Sequence, residues 1–235
     1  MRYRGEIAEE ERLAAWRHVA PFLVWVVAMS LPMPDLAIRY AIQAGAAVVV
    51  LAWVRPWRYY PAVSFRFQPW AVLVGAVVCV IWVLPESPWM RFSPGLHELY
   101  YRLAVRGGDT VSSGGMNPYA PGQCGWWLTG VRLTGSAFVI ALAEEYFWRG
   151  FLMRWMQGRP FTAMEPGHVG WGVILLSSVV FGLEHSRWVA GIAAGLAYGF
   201  LYSRTRDLGA AITAHVTTNL LLGLYVLFTG AYAFW

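Results

Sequence analysis

The sequence predicts an all-α fold: a polytopic membrane helical bundle of about seven transmembrane helices with one interfacial helix. Three observations carry this. Of 235 residues, 58% are hydrophobic and only 13% charged, whereas a soluble globular domain carries about 25% charged residues. Mean hydropathy is +0.46. The apolar residues gather in runs that approach the roughly 20 residues a bilayer-spanning helix needs, and proline and arginine separate those runs.

The runs fall at 13–31, 36–54, 70–84, 131–156, 170–184, 188–203 and 208–228. Pro32 and Pro34, then Pro56 and Pro61, then Pro85 and Pro88 end the first three, because proline cannot continue a helix ladder. Ahead of the first run, 1–18 mixes Glu6, Glu9, Glu10 and Glu11 with arginine, and no small-residue cleavage site follows. That pattern is expected of an uncleaved first helix rather than a signal peptide. Between the third and fourth runs, 85–130 is too polar to span. Within it Leu96, Leu99, Tyr100 and Leu103 share one helical face with Arg102 and Arg106 outside it, as an interfacial amphipathic helix would. The Gly- and Pro-rich stretch 107–125 then reads as an external loop, either a plain connection or a cap over an opening. The fifth and sixth runs are short, so their junction can lie below the membrane surface. Gly191, Gly195 and Gly199 give the sixth a smooth stripe for close packing of a neighbouring helix. No internal repeat interrupts this pattern, and 1–235 is read as a single integral membrane domain.

All 18 basic residues are arginine. With the N-terminus inside, twelve fall in inner segments and six in outer ones, which favours N-terminus in and C-terminus out. Arginines that flank apolar runs, without a basic and aromatic surface, argue against nucleic acid as a partner. Cys79 lies in an apolar run and Cys124 in a polar stretch, with no CxxC spacing, so neither a disulfide framework nor a thiolate metal site is expected.

Ionisable groups at the bilayer centre cost at least about 2.5–3.5 kcal/mol each, so they persist there mainly for function. Glu144 and Glu145 sit near the middle of the fourth run, His185 ends the fifth, and His215 and Asn219 lie about two turns into the seventh. Neighbouring helical residues point about 100° apart, so the two glutamates cannot share one role. Glu145 and Arg149 are four apart and can pair along the helix. Glu144 has no basic residue at plus three or plus four, which leaves its carboxylate available as a general base. His215 and Asn219 share a face and can both donate to a developing oxyanion. Phe181 stands one turn before His185. Each feature also has a plain structural alternative: ion-pair glue for Glu145 and Arg149, and helix-to-helix hydrogen bonds for the histidines. Four such groups on three helices at membrane depth point to function. His18, His97 and His168 are expected to be solvated.

The three patterns, Glu144-Glu145-x-x-x-Arg149, Phe181-x-x-x-His185 and His215-x-x-x-Asn219, occur in order on successive hydrophobic helices. Together they resemble the motifs of the CAAX protease and bacteriocin-processing family, which includes the endopeptidases that remove the last three residues of prenylated CAAX proteins. The resemblance begins at about residue 131 and places the catalytic core at 131–229. It implies a glutamate-type intramembrane endopeptidase in which Glu144 and His185 activate water, His215 and Asn219 form the oxyanion hole, and Glu145, Arg149 and Phe181 support them. The implied substrate is a peptide or lipid-modified protein at the membrane, cut near its terminus, with membrane lipid as the other partner and no cofactor. The strings 147–154, 181–185 and 218–226, with Phe234-Trp235, are similar to the CAAX-protease-related proteins that accompany bacterial exosortase systems. That likeness implies a bacterial cytoplasmic membrane and exosortase-system proteins as partners. Two alternatives stay open: a zinc-dependent variant with Glu144, His185 and His215 as ligands, and a non-hydrolytic binding, immunity or transport protein.

Overall fold

The computed structural model describes residues 2–60, 68–87, 90, 94–106 and 117–235. Among these residues the chain is helical apart from its connecting turns, without strands, and forms eight principal helices. They are α1 (Arg2–Met29), α2 (Leu36–Val54), α3 (Pro69–Val83), α4 (Pro94–Ala104), α5 (Pro121–Gln157), α6 (Trp171–Leu183), α7 (Trp188–Thr205) and α8 (Leu208–Thr229).

Local chemistry sets several ends. Asp35 caps α2 by accepting from Ile38 N at 2.9 Å, and Asp207 caps α8 by accepting from Gly209 N at 2.8 Å, each satisfying a backbone donor that the first turn leaves orphaned. Gly230, at φ 71°, closes α8 in the left-handed conformation that glycine adopts without a Cβ penalty.

Among the described residues four segments are long and apolar enough to cross a membrane: Leu36–Tyr59, Pro69–Glu86, Pro121–Gln157 and Leu208–Thr229. Seven spans were expected. Helix α6 is apolar but has only 13 residues, α7 is rich in glycine, and the first half of α1 is charged. Large apolar side chains nevertheless face outward around the bundle, among them Trp53 at 76%, Trp70 at 72% and Phe228 at 86% exposure. Such an exterior suits lipid, whereas a water-soluble monomer rarely exposes apolar patches of that extent.

Close backbone approach organises the core. Along α7, a Cβ on Gly191 would lie 2.9 Å from Gly182 Cα, and one on Gly195 would lie 2.9 Å from both Ser178 Cα and Cβ. The glycine stripe therefore seats α7 directly on α6. Gly75 of α3 performs the same service against Ala214 and Thr217 of α8, and Thr218 Oγ1 donates to the Gly75 carbonyl at 2.8 Å.

Three expectations are corrected. Residues 107–116 of the expected loop 107–125 lie outside the described residues, as do Pro61, Arg66, Pro88 and Arg91. The remainder is not all loop. Residues 117–120 make a turn and Pro121 opens α5, well before the expected start at 131. The Gly and Pro signal that suggested a loop reflects a proline at the first helical position and a kink at Gly125, which has φ 78°. Helix α1 starts at Arg2 rather than at residue 13, so the charged N-terminal stretch is already helical. That register carries His18 inward, and it is fully buried instead of solvated. Its Nδ1 donates to Ala14 O at 2.7 Å and its Nε2 accepts from Tyr60 Oη at 3.0 Å, among the rings of Tyr59, Tyr146 and Phe161. His168 is exposed as expected.

Candidate active site

Helix α5 supplies the acidic wall, and it does so through irregular winding. A π-helical segment Gly135–Ile140 precedes the α-helical turn Ala141–Glu145, and a second, Tyr146–Leu152, follows it. Such π turns are uncommon and concentrate at functional sites, because they shift side chains out of the regular helical register.

The two glutamates diverge as their 100° offset requires. Glu145 is fully buried and turned away from solvent. Its Oε1 accepts from Arg149 Nη1 at 2.9 Å and from His215 Nδ1 at 2.8 Å. Arg149 is spent behind the site as well: Nη2 donates to Gly195 O of α7 at 3.1 Å, and the guanidinium lies 4.9 Å from the Phe181 ring and 5.4 Å from that of Tyr198. One carboxylate thus binds α5 to α8, and its arginine partner binds α5 to α7.

Glu144 faces the other way, into a cavity of about 220 Å³ that His185, His215, Asn219 and Phe181 also line. All four expected site residues are therefore brought to one chamber. Glu144 Oε2 is buried without a hydrogen-bond partner in the protein and stands 3.8 Å from His215 Nε2. A buried carboxylate oxygen left unmatched is costly, and such orphans in native folds call for a functional explanation.

Each imidazole is oriented by its Nδ1. His215 donates from Nδ1 to Glu145, which turns Nε2 toward Glu144, while the Tyr198 ring stacks on the imidazole at 4.9 Å and 23°. Tyr198 is itself fixed, donating to Thr218 Oγ1 at 2.7 Å. His185 donates from Nδ1 to the Phe181 carbonyl at 2.8 Å. Since a carbonyl can only accept, a neutral His185 carries its proton on Nδ1 and presents Nε2 as an acceptor. The rings of Phe181 at 4.8 Å and Trp82 at 5.4 Å flank it. The Asn219 amide donates from Nδ2 to Ser136 O, in the first π segment, at 2.8 Å. An amide nitrogen carries two N–H groups, so one remains for a ligand.

Several contributors were not anticipated. Tyr198 and Trp82 have polar or aromatic character but no motif, and only helix packing places them. A buried pair joins Glu86, just past α3, to Arg187 before α7: Arg187 meets Glu86 through Nε and, at 2.9 Å, through Nη2. Tyr101 of α4 donates to the same carboxylate at 2.8 Å, and Arg187 Nη1 donates to Ala233 O at 3.0 Å. This pair lies 101 positions apart in sequence, and no local spacing signals it. It holds Phe234 and Trp235 against the cavity wall. Among the described residues no group of three His, Cys, Asp or Glu side chains is disposed to hold a metal ion.

The helical bundle thus aims a carboxylate, two imidazoles and an amide into one chamber, the groups from which a hydrolytic site can be built. A family model described as Rce1-like, type II CAAX prenyl endopeptidase, matches residues 126–221, from α5 into α8. Over this core the chain is similar to the type II CAAX prenyl endopeptidases. No curated protein and no solved structure matches the chain.

Proposed function

We propose that this protein hydrolyses a peptide bond near the terminus of a membrane-associated or lipid-modified protein by a glutamate-type mechanism. Glu144 and His185 Nε2 take a proton from a water whose oxygen attacks the scissile carbonyl carbon. The carbonyl oxygen becomes an oxyanion and is met by His215 Nε2 and the free Asn219 N–H. The donor role of His215 requires a proton on both ring nitrogens, and the Glu145 carboxylate at Nδ1 provides the counter-charge for that imidazolium. Collapse of the tetrahedral intermediate breaks the C–N bond, and the proton held by Glu144 or His185 passes to the leaving amine. The products are a carboxylic acid and an amine, so one water balances the reaction.

The observation that carries this reading is the orphaned Glu144 Oε2 inside a chamber walled by His185, His215 and Asn219. The proposal extends to a bacterial cytoplasmic membrane, N-terminus inside and C-terminus outside, with substrates among proteins of an exosortase system. The test is a comparison of protein termini in membranes that contain the wild type with those that contain Glu144→Gln. Termini that arise only with the wild type are expected, and identical terminal profiles would overturn the proposal.

A further inference from the structure

The segment that follows α8 has no part in this mechanism, yet it walls the chamber. Phe234 and Trp235 line the same cavity as Glu144, His185, His215 and Asn219. They reach it because Gly230, at φ 71°, turns the chain at the end of α8, and one tight helical turn, Tyr232–Phe234, follows. Residues 231–235 are all half-buried, so the segment has the chamber on one side and the exterior on the other. Its attachment is light. Beyond its own turn and α8, two hydrogen bonds among the described residues hold it: Arg187 Nη1 donates to Ala233 O at 3.0 Å and Asn117 Nδ2 to Tyr232 O at 3.4 Å. The rest is ring contact, with the Arg187 guanidinium 4.3 Å from Phe234 and that of Arg132 5.8 Å from Trp235. Arg187 itself is fixed by Glu86. Segments with few buried contacts open most readily, and lids are drawn from them.

We propose that 231–235 is a lid hinged at Gly230, which swings away from Arg187 to admit large molecules and, when closed, keeps them from Glu144. It governs access whatever reaction follows, and so goes beyond the hydrolytic reading. Size supports it. The chamber holds about 220 Å³, below the roughly 300–1,000 Å³ of sites for drug-sized ligands, so a peptide needs more room than this arrangement gives. Glu144, Phe181, His215 and Asn219 stand on packed helices. The lightly tied segment is the wall that can yield. Its hinge has the required freedom, because a Cβ on Gly230 would meet nothing within 4 Å. Alanine there adds no clash and removes no contact of the lid. It acts only on the left-handed backbone that folds the segment back, and should lower the closed-to-open ratio by a factor of about 5–30.

The test measures access rather than turnover. Cys79→Ala and Cys124→Ser remove both native thiols, and Ser136→Cys places one on the chamber wall. The full chain in phosphatidylcholine nanodiscs is treated with a small thiol reagent, methyl methanethiosulfonate, and with a bulky one, fluorescein maleimide. With the lid intact the small reagent is expected to label the cysteine and the bulky one to lag far behind. Adding Gly230→Ala should raise the bulky reagent's rate by about 5–30-fold, the shift in closed-to-open ratio, with the small reagent's rate little changed. Phe234→Ala with Trp235→Ala should raise it at least as much. Bulky labelling that is equally fast with and without these changes overturns the proposal. So does acceleration of both reagents together, which reports a general loosening of the bundle, and so does a cysteine that stays unreactive toward the small reagent in every variant. Should the double alanine variant not fold, Gly230→Ala, which keeps every side chain of the lid, decides. Membranes whose protein termini are the same with wild type and with Glu144→Gln, while the labelling pattern holds, would instead overturn hydrolysis and leave the lid standing.

Discussion

Replacing Glu145 with alanine tests whether the site is held from behind. The carboxylate is fully buried, and Arg149, 2% exposed, has no other carboxylate within reach among the described residues. Alanine leaves that guanidinium buried with only the Gly195 carbonyl and two aromatic faces for company. Breaking one partner of a buried pair costs about 3–5 kcal/mol. For a domain of this size each kilocalorie shifts the melting temperature by about 2–4 °C, so a fall of about 6–20 °C in detergent is expected. The same substitution frees His215 Nδ1, which loses the acceptor that orients the ring, so catalysis should fall even at temperatures where the variant is folded. Glu145→Gln separates the two effects, since it preserves volume and a hydrogen-bond acceptor but removes the counter-charge of both Arg149 and His215. The assay is a thermal melt paired with turnover of a fluorogenic peptide at a temperature well below the transition. A Glu145→Ala protein that keeps the wild-type melting temperature would refute the burial argument. One that keeps wild-type turnover would refute the role assigned to His215.

Glu144→Ala and His185→Ala should each lower turnover by at least about a hundredfold, the usual value of a general base, with melting temperatures near wild type; near-normal turnover in either removes that residue from the mechanism. Asn219→Ala should lower kcat by about 10²–10³ with KM nearly unchanged, because an oxyanion donor tightens in the transition state, and steady-state kinetics that show a rise in KM alone would assign the amide to substrate binding. Gly195→Ala should destabilise by about 1–3 kcal/mol through overpacking against Ser178, and an unshifted melt would show that α6 and α7 can separate without cost.

What could be read from the sequence was set by spacing along single helices. Glu145 and Arg149 meet because they are four apart, and that pairing survives even though a π segment begins between them. His185, His215 and Asn219 could be nominated because an ionisable or polar group in an apolar run stands out against its background. The partners of these groups come from other helices and leave no trace in local pattern. Tyr198 reaches His215 because the α7 glycines let that helix settle on α6, and Glu86 reaches Arg187 across 101 positions. His18 was misjudged for a related reason. Its neighbours in sequence are charged, but the rings that bury it belong to residues 59, 60, 146 and 161.

The division of labour between the two glutamates shows how far helical phase alone carries the argument. Phase dictates that adjacent residues face different surroundings, but not which of the two meets the chamber. That choice falls to α7 and α8. Gly195 brings α7 close enough for its carbonyl to accept from Arg149, and Gly75 lets α3 press α8 inward so that His215 arrives beside Glu145. Once Glu145 is fixed by Arg149 and His215, Glu144 has only the cavity to face. The reactive carboxylate is thus defined by exclusion, through glycines on helices that carry no catalytic group. Bulk added at either glycine should accordingly disturb Glu144 and His215 together, before it disturbs the ion pair that lies within α5 alone.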